Sequence, residues 1–177
     1  MRLKSFAVAA IATVLAASPA LSQSQQPAPA PPPPPCQEEV YRAFDFWLGT
    51  WDVTTPDGQP AGTNVISEQE NGCLLLEEWT SAGGGTGQSY NYYDPGTKKW
   101  RQVWVSGGGN IDYEGGLNKD GAMVLEGEIS NRNGTMAPFR GTWTLNEDGT
   151  VTQHFQQYNP ETEEWADWFI GIYKKRD

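Results

Sequence analysis

Apolar and polar residues alternate in short runs from Trp47 almost to the C-terminus. A period of two is typical of strands with one buried and one solvent-facing side. Turn dipeptides such as Asp57-Gly58, Asn71-Gly72 and Asp120-Gly121 separate these runs, and they favour tight hairpins because their residues tolerate positive φ. The pattern predicts antiparallel strands joined by short turns. We place these strands near 48–55, 61–69, 73–81, 86–94, 98–105, 109–117, 121–130, 138–146, 150–158 and 165–174.

A long meander of sequential strands avoids exposed sheet edges by closing on itself. We therefore predict an all-β fold, an antiparallel up-and-down barrel of about eight to ten strands. Ahead of the first strand, apolar residues between Val40 and Trp47 recur at helical spacing. This spacing predicts a short amphipathic helix over 37–46 that caps one end of the barrel.

Strand alternation also assigns side chains to the barrel interior, which is the side that carries the larger apolar groups. The same side includes the polar residues Glu77, Gln102 and Gln153. A polar group inside a barrel costs about 1–3 kcal/mol unless it is hydrogen-bonded. These residues are therefore expected to bond one another, water or a ligand. On the last strand, alternation groups Trp165 and Asp167 with the inward residues.

The N-terminal 35 residues are predicted to lie outside the folded domain. Residues 1–22 have the basic start, the apolar run too short to span a bilayer and the small-residue cleavage pattern of a signal peptide. Residues 23–35 form a proline-rich, disordered linker, and the barrel domain covers 36–177. A lipid anchor at Cys36 is the weaker reading because that residue is too far from the apolar run.

The predicted signal peptide places the mature protein in the periplasm or outside the cell, without insertion into the membrane. The formal net charge is −10, and this acidity excludes nucleic acid as a partner because phosphates would be repelled. Cys36 and Cys73 are the only cysteines. In an oxidising compartment we expect them to form a disulfide rather than remain free thiols.

Several segments together resemble a family of exported bacterial domains of unknown function, which is placed with the lipocalin-like (calycin) β-barrels. The similarity lies in Phe44–Val53, Asn71–Trp79, Gly87–Asp94, Trp100–Val105 and Phe169–Tyr173. The resemblance implies that Trp51, in the Gly-x-Trp motif shared with lipocalins, has a structural role across the barrel base. The family has no settled activity that could be transferred.

Nitrobindin-like haem barrels are a more distant relative in shape, and they bind iron through a histidine near the chain end. The last predicted strand of this chain has no histidine. His154 lies on the preceding strand, with parity opposite to Gln153 and Phe155, so we expect it to point outward. No cofactor is therefore predicted.

The sequence offers little for catalysis. It contains no Gly-x-Ser-x-Gly motif, and any Ser or Cys nucleophile would have to use His154. It contains no Cys/His cluster or calcium loop, so no metal site is predicted. Glu77 could act as a general acid or base, alone or in a dyad with Asp167. We favour the simpler reading, a buried carboxylate hydrogen-bonded to Gln102, Asn91 or a ring N–H.

The favoured hypothesis is an exported, non-enzymatic barrel that binds a small apolar or aromatic molecule in its lumen. An enzyme that uses Glu77 and a fully packed envelope interaction module are the alternatives. The sequence leaves the oligomeric state open. The predicted ligand-binding residues are four apolar wall residues, Trp79, Trp104, Trp143 and Phe155, and four polar residues that orient the ligand, Glu77, Asn91, Gln102 and Gln153.

Overall fold

The computed structural model describes residues 32–176, so the predicted signal peptide and most of the predicted linker lie outside the described residues. Ten antiparallel strands form a closed barrel in which each strand pairs with the next and the first pairs with the last. This arrangement confirms the predicted all-β meander. The strands are β1 (Gly49–Thr54), β2 (Pro60–Gln69), β3 (Leu74–Ser81), β4 (Thr86–Asp94), β5 (Lys99–Ser106), β6 (Gly109–Leu117), β7 (Met123–Asn131), β8 (Met136–Leu145), β9 (Val151–Asn159) and β10 (Glu164–Lys175).

The N-terminal helix is shorter than predicted. Helix α1 covers only Glu39–Arg42, and a 3₁₀ turn follows at Asp45–Trp47. The tighter 3₁₀ geometry brings residues three apart onto one side, and it buries both Phe44 and Trp47 completely. Their rings stack with centroids 4.9 Å apart. The segment therefore closes one end of the barrel, as predicted, with aromatic rings.

We group the interior side chains into three layers according to their aromatic packing, their hydrogen bonds and the cavity they share. The closed-end layer lies next to the 3₁₀ turn and contains Phe44, Trp47, Trp51, Leu75, Trp100, Met123, Leu125, Trp143 and Val151. The polar layer lies above it and contains Asn64, Glu77, Ser89, Asn91, Gln102, Tyr113, Gln153 and Tyr173. The open-end layer is aromatic and aliphatic, and it contains Trp79, Trp104, Ile111, Phe155, Trp168 and Phe169.

Trp51 lies in the closed-end layer, with 1 % of its surface exposed. Its indole Nε1 donates a hydrogen bond to the Trp47 carbonyl oxygen at 2.9 Å. The side chain thus fixes the 3₁₀ turn against β1. This contact gives Trp51 a structural position at the closed end of the barrel.

A β-bulge in β10 changes the predicted faces of that strand. The register between β9 and β10 shifts between Asp167 and Phe169, because Trp168 is an extra residue without a cross-strand partner. One extra residue reverses the alternation, so Asp167 lies on the outer face, 2.7 Å from His154 Nε2. Trp165 lies outside as well, 4.4 Å from the Arg140 guanidinium. The predicted inward positions of Trp165 and Asp167 are wrong.

The predicted disulfide between Cys36 and Cys73 is present, with Cα atoms 5.1 Å apart. It joins the segment before α1 to the residue that precedes β3. Cross-linking residues 37 positions apart stabilises the fold by about 4 kcal/mol in the loop-entropy description. Between residues 32 and 176, no helix combines the length and apolar character that crossing a membrane requires.

Candidate functional site

A cavity of about 220 Å³ lies between the polar layer and the open-end layer. Its floor is polar and its walls are largely aromatic. Side chains from β3, β5, β6, β9 and β10 contribute to it, so its shape depends on the closed barrel. The lining residues are Glu77, Trp79, Gln102, Trp104, Ile111, Tyr113, Gln153, Phe155, Trp168, Phe169 and Tyr173.

Glycines on neighbouring strands make room for two of the wall tryptophans. A Cβ atom on Gly87 would lie 2.2 Å from the Trp104 ring, and one on Gly62 would lie 2.7 Å from the Trp79 ring. Real Cβ atoms do not approach rings this closely, so each indole occupies space that a side chain on the neighbouring strand would otherwise fill. At the opening, Trp168 is 54 % exposed. The walls therefore combine two partly buried indoles with a third that is more exposed.

Glu77 is the acidic residue of the cavity floor, and only 4 % of its surface is exposed. Asn64 Nδ2 donates a hydrogen bond to its Oε1 atom at 2.7 Å. Ser89, its direct partner on β4, donates from Oγ to its Oε2 atom at 2.5 Å. Both donors are uncharged. Each carboxylate oxygen has two lone-pair positions, so each has one left after these bonds.

One arm of the polar layer runs from Tyr113 to Glu77. The Tyr113 hydroxyl donates to Gln102 Oε1, and Gln102 Nε2 donates to Asn91 Oδ1. Asn91 Nδ2 then donates to Ser89 Oγ at 2.8 Å, and Ser89 donates to Glu77. Every donor in this arm points towards the carboxylate. Aligned hydrogen bonds polarise one another, so the arm favours negative charge on Glu77.

A second arm runs from Glu77 to β10 and β9. Asn64 Nδ2 also donates to the Tyr173 hydroxyl oxygen at 3.3 Å. The Tyr173 hydroxyl donates to Gln153 Oε1 at 2.9 Å. Tyr173 and Gln153 both line the cavity. The second arm therefore places a hydroxyl and an amide beside the carboxylate.

Burial raises the pKa of Glu77 to about 7, although the hydrogen bonds from Ser89 and Asn64 act in the opposite direction. The pKa of the Tyr113 hydroxyl and that of the Tyr173 hydroxyl lie well above 10, because of burial first and the negative charge of Glu77 second. Near neutral pH, Glu77 therefore exists in both protonation states while the two tyrosines stay neutral. Such a carboxyl can exchange a proton or pair with a cation.

The cavity contains six of the eight predicted ligand-binding residues, and their role in binding stays a prediction. These six are Glu77, Trp79, Gln102, Trp104, Gln153 and Phe155. Asn91 is fully buried behind Gln102, and Trp143 is fully buried in the closed-end layer, so neither reaches the cavity. Trp143 packs 5.3 Å from Phe44 instead. These two assignments are corrected.

The predicted partners of Glu77 are also corrected. The sequence favoured Gln102, Asn91 or a ring N–H, whereas the carboxylate accepts from Asn64 and Ser89. Register makes Ser89 the direct cross-strand neighbour, and pattern alone did not fix that register. The predicted dyad of Glu77 with Asp167 is wrong, because the bulge turns Asp167 outward.

Five lining residues were missed by sequence reasoning: Ile111, Tyr113, Trp168, Phe169 and Tyr173. The inward parity of Phe169 and Tyr173 was visible in the alternation of the last strand. Trp168 could not be found this way, because its position depends on the bulge.

His154 lies on the outer face of β9, as predicted, and its Nε2 atom is 2.7 Å from Asp167 Oδ1. Hydrogen bonds from His154 and then Gln156 lower the pKa of the Asp167 carboxyl. Within residues 32–176, no three His, Cys, Asp or Glu side chains are grouped so that they could hold a metal ion.

Comparisons with known proteins leave the geometry as the basis for function. No protein-family model matches this chain, and no curated protein matches it.

Proposed function

We propose that the barrel binds one small apolar or aromatic molecule in its cavity without transforming it. The observation that carries this proposal is an aromatic-walled cavity of about 220 Å³ with a polar floor. Binding pockets characteristically combine apolar walls with a few polar groups that fix orientation. Pockets for drug-sized molecules measure roughly 300–1,000 Å³, so the ligand is expected to be smaller, about one ring with short substituents.

The open-end layer supplies the driving force for binding. Trp79, Trp104 and Phe155 all border the cavity. Their rings are only partly buried. A ligand would remove apolar surface on both itself and these rings from water. Each 100 Å² of apolar surface removed is worth about 2.5 kcal/mol before the entropic cost of binding.

A panel of neutral one-ring aromatic compounds, screened by NMR, tests the proposal. We expect binding by the wild-type protein and a loss of at least tenfold in the Ile111→Phe variant, since Ile111 lines the cavity. Val105→Phe is the matched control, because Val105 is 58 % exposed on the same pair of strands. The proposal fails if neither this panel nor a charged one-ring compound binds, or if the two variants bind equally well.

Catalysis by Glu77 is the second candidate function, and its pKa of about 7 supports it. General acids and bases work best when their pKa lies near the working pH. A Glu77→Gln variant separates the two functions. Loss of turnover with retained ligand affinity would support an enzyme, whereas no turnover by either protein would support a carrier.

We also propose that the chain is an exported, lipocalin-like protein. The buried Trp51 at the closed end, the meander topology and the Cys36–Cys73 disulfide are consistent with this proposal. N-terminal sequencing of the protein from its native host tests export, and a mature start at Gln23 is the expected result. A fully packed interaction module is less favoured, because the cavity leaves part of the interior unfilled.

A further inference from the structure

The residues that line the cavity have an unbalanced set of charges. Glu77 is the one carboxylate among them, and none of them is Lys, Arg or His. The two tyrosines that face Glu77 remain neutral, since the pKa of each hydroxyl is raised well above 10. Any charge on the cavity floor is therefore negative.

No cationic side chain of residues 32–176 pairs with Glu77. The seven ion pairs of this region all involve other carboxylates on the barrel exterior or beside the N-terminal segment. Among residues 32–176, the side chains that donate hydrogen bonds to the Glu77 carboxylate are those of Asn64 and Ser89 only, and both are neutral. A buried carboxylate normally has a cationic partner or a metal, and the described residues give this one neither.

The aromatic walls above Glu77 also favour a positively charged ligand. Trp79, Trp104 and Trp168 line the cavity together with two phenylalanines. The faces of aromatic rings carry negative electrostatic potential and attract ammonium and guanidinium groups, with tryptophan the most effective. Outside the cavity, the overall net charge of −10 also raises the local concentration of cations.

We propose that the cavity selects a small organic cation, with an ammonium or amidinium nitrogen at Glu77 and one compact aromatic or aliphatic body between the tryptophans. This inference rests on the proposed binding function and specifies its ligand class. The nitrogen donates to the lone pairs of Glu77 that Asn64 and Ser89 leave free. Gln153 and Tyr173 border the same floor and orient the head group.

The other charge classes fit the cavity less well. An anion would lie beside Glu77 with no lining Lys or Arg to neutralise it. A neutral ligand fills the walls equally well, but it leaves the carboxylate without a charged partner. The property to measure is therefore the relative affinity for three ligands of similar shape, one cationic, one neutral and one anionic.

Three compounds provide that comparison: 2-phenylethylamine, which is an ammonium at neutral pH, the neutral 2-phenylethanol, and the anionic phenylacetate. Calorimetric titration of the wild-type protein at about pH 8 is expected to give the ammonium compound an affinity at least tenfold above that of the alcohol, with phenylacetate weakest. A factor of ten corresponds to about 1.4 kcal/mol.

Glu77→Gln and Glu78→Gln form a matched pair of variants. They make the same chemical change at adjacent residues, but Glu78 is exposed on the outside of β3. Glu77→Gln is expected to lower the affinity for the ammonium compound at least tenfold and to change that for the alcohol less than about threefold. Glu78→Gln should change neither affinity.

The pH dependence of wild-type binding gives a second readout that needs no variant. With a pKa of about 7, the ionised fraction of Glu77 rises from about one tenth at about pH 6 to about nine tenths at about pH 8. The affinity for the ammonium compound should therefore rise about tenfold over this range, because the compound stays charged. Affinity for the alcohol should not rise with it.

The outcomes separate the two proposals. Equal affinity for ammonium and alcohol, or preference for phenylacetate, overturns the cationic ligand while leaving the binding function in place. Retained preference for the ammonium compound in Glu77→Gln overturns it as well. If none of the three compounds binds and the panel of neutral aromatics also fails, the binding function itself is wrong.

Discussion

The stability of the Glu77→Gln variant relative to the wild-type protein should increase as the pH rises. The pKa of Glu77 rises from 4.5 to about 7 on folding, because burial disfavours the ionised form. One pKa unit corresponds to about 1.4 kcal/mol, so keeping this carboxyl ionised in the folded protein costs about 3 kcal/mol. Below pH 4.5 the cost disappears, because Glu77 is protonated in both the folded and unfolded states.

The sign follows from proton linkage. Between pH 4.5 and about 7, the folded state holds a proton that the unfolded state has released, so Glu77 lowers the free energy of unfolding as pH rises. Above about pH 7 the full cost remains. A glutamine at this position does not titrate. The stability of Glu77→Gln relative to wild type should therefore increase by about 3 kcal/mol between about pH 4 and about pH 9.

Urea unfolding across this pH range, followed by circular dichroism, measures the difference. Constant effects of the substitution, such as an altered hydrogen bond to Ser89, cancel because only the change with pH is used. Exposed carboxyls whose pKa is lowered, such as Asp52 and Asp148, titrate alike in both proteins. Glu78→Gln is the control and should show no such trend. A stability difference between Glu77→Gln and wild type that does not change with pH would refute the reasoning.

Two further predictions concern the framework of the site. Replacing both Cys36 and Cys73 with serine should lower the free energy of unfolding by about 4 kcal/mol. The urea midpoint of this variant should not change when reductant is added. A midpoint equal to that of the oxidised wild-type protein would contradict the prediction. Gly87→Ala should lower the stability by about 1–3 kcal/mol and shift the tryptophan fluorescence, because the new Cβ would lie 2.2 Å from the Trp104 ring. Gly116→Ala is the control, since no atom lies within 4 Å of its Cβ position, and equal effects of the two alanines would contradict the steric explanation.

The barrel could be predicted from the sequence because the signals that mark its strands and turns lie within short segments of the chain. Alternation with a period of two and turn dipeptides mark each strand independently of the others. The inward parity of Glu77, Gln102 and Gln153 follows from the same alternation, and the structure buries all three. For these three residues, the position along the strand was sufficient to predict that the side chain lies inside the barrel.

The features of the site that the sequence did not predict depend on strand register and on the bulge in β10. The partners of Glu77 are set by how β2, β3 and β4 slide against one another, which fixes Ser89 opposite the carboxylate. The bulge at Trp168 adds one residue to β10, and it moves Asp167 from the predicted interior to the surface. Neither feature leaves a mark in local composition, so the sequence pattern missed Ser89 as a partner of Glu77 and placed Asp167 on the wrong face.

Native mass spectrometry of the protein purified from its own host tests the central claim most directly. We expect a population whose mass exceeds that of the polypeptide by one small basic molecule, released on denaturation. The Ile111→Phe protein, expressed and purified in the same way, should lack this species while Val105→Phe retains it. The bare polypeptide mass in all three proteins, or an adduct of unchanged abundance in Ile111→Phe, would contradict the claim that the cavity holds a ligand.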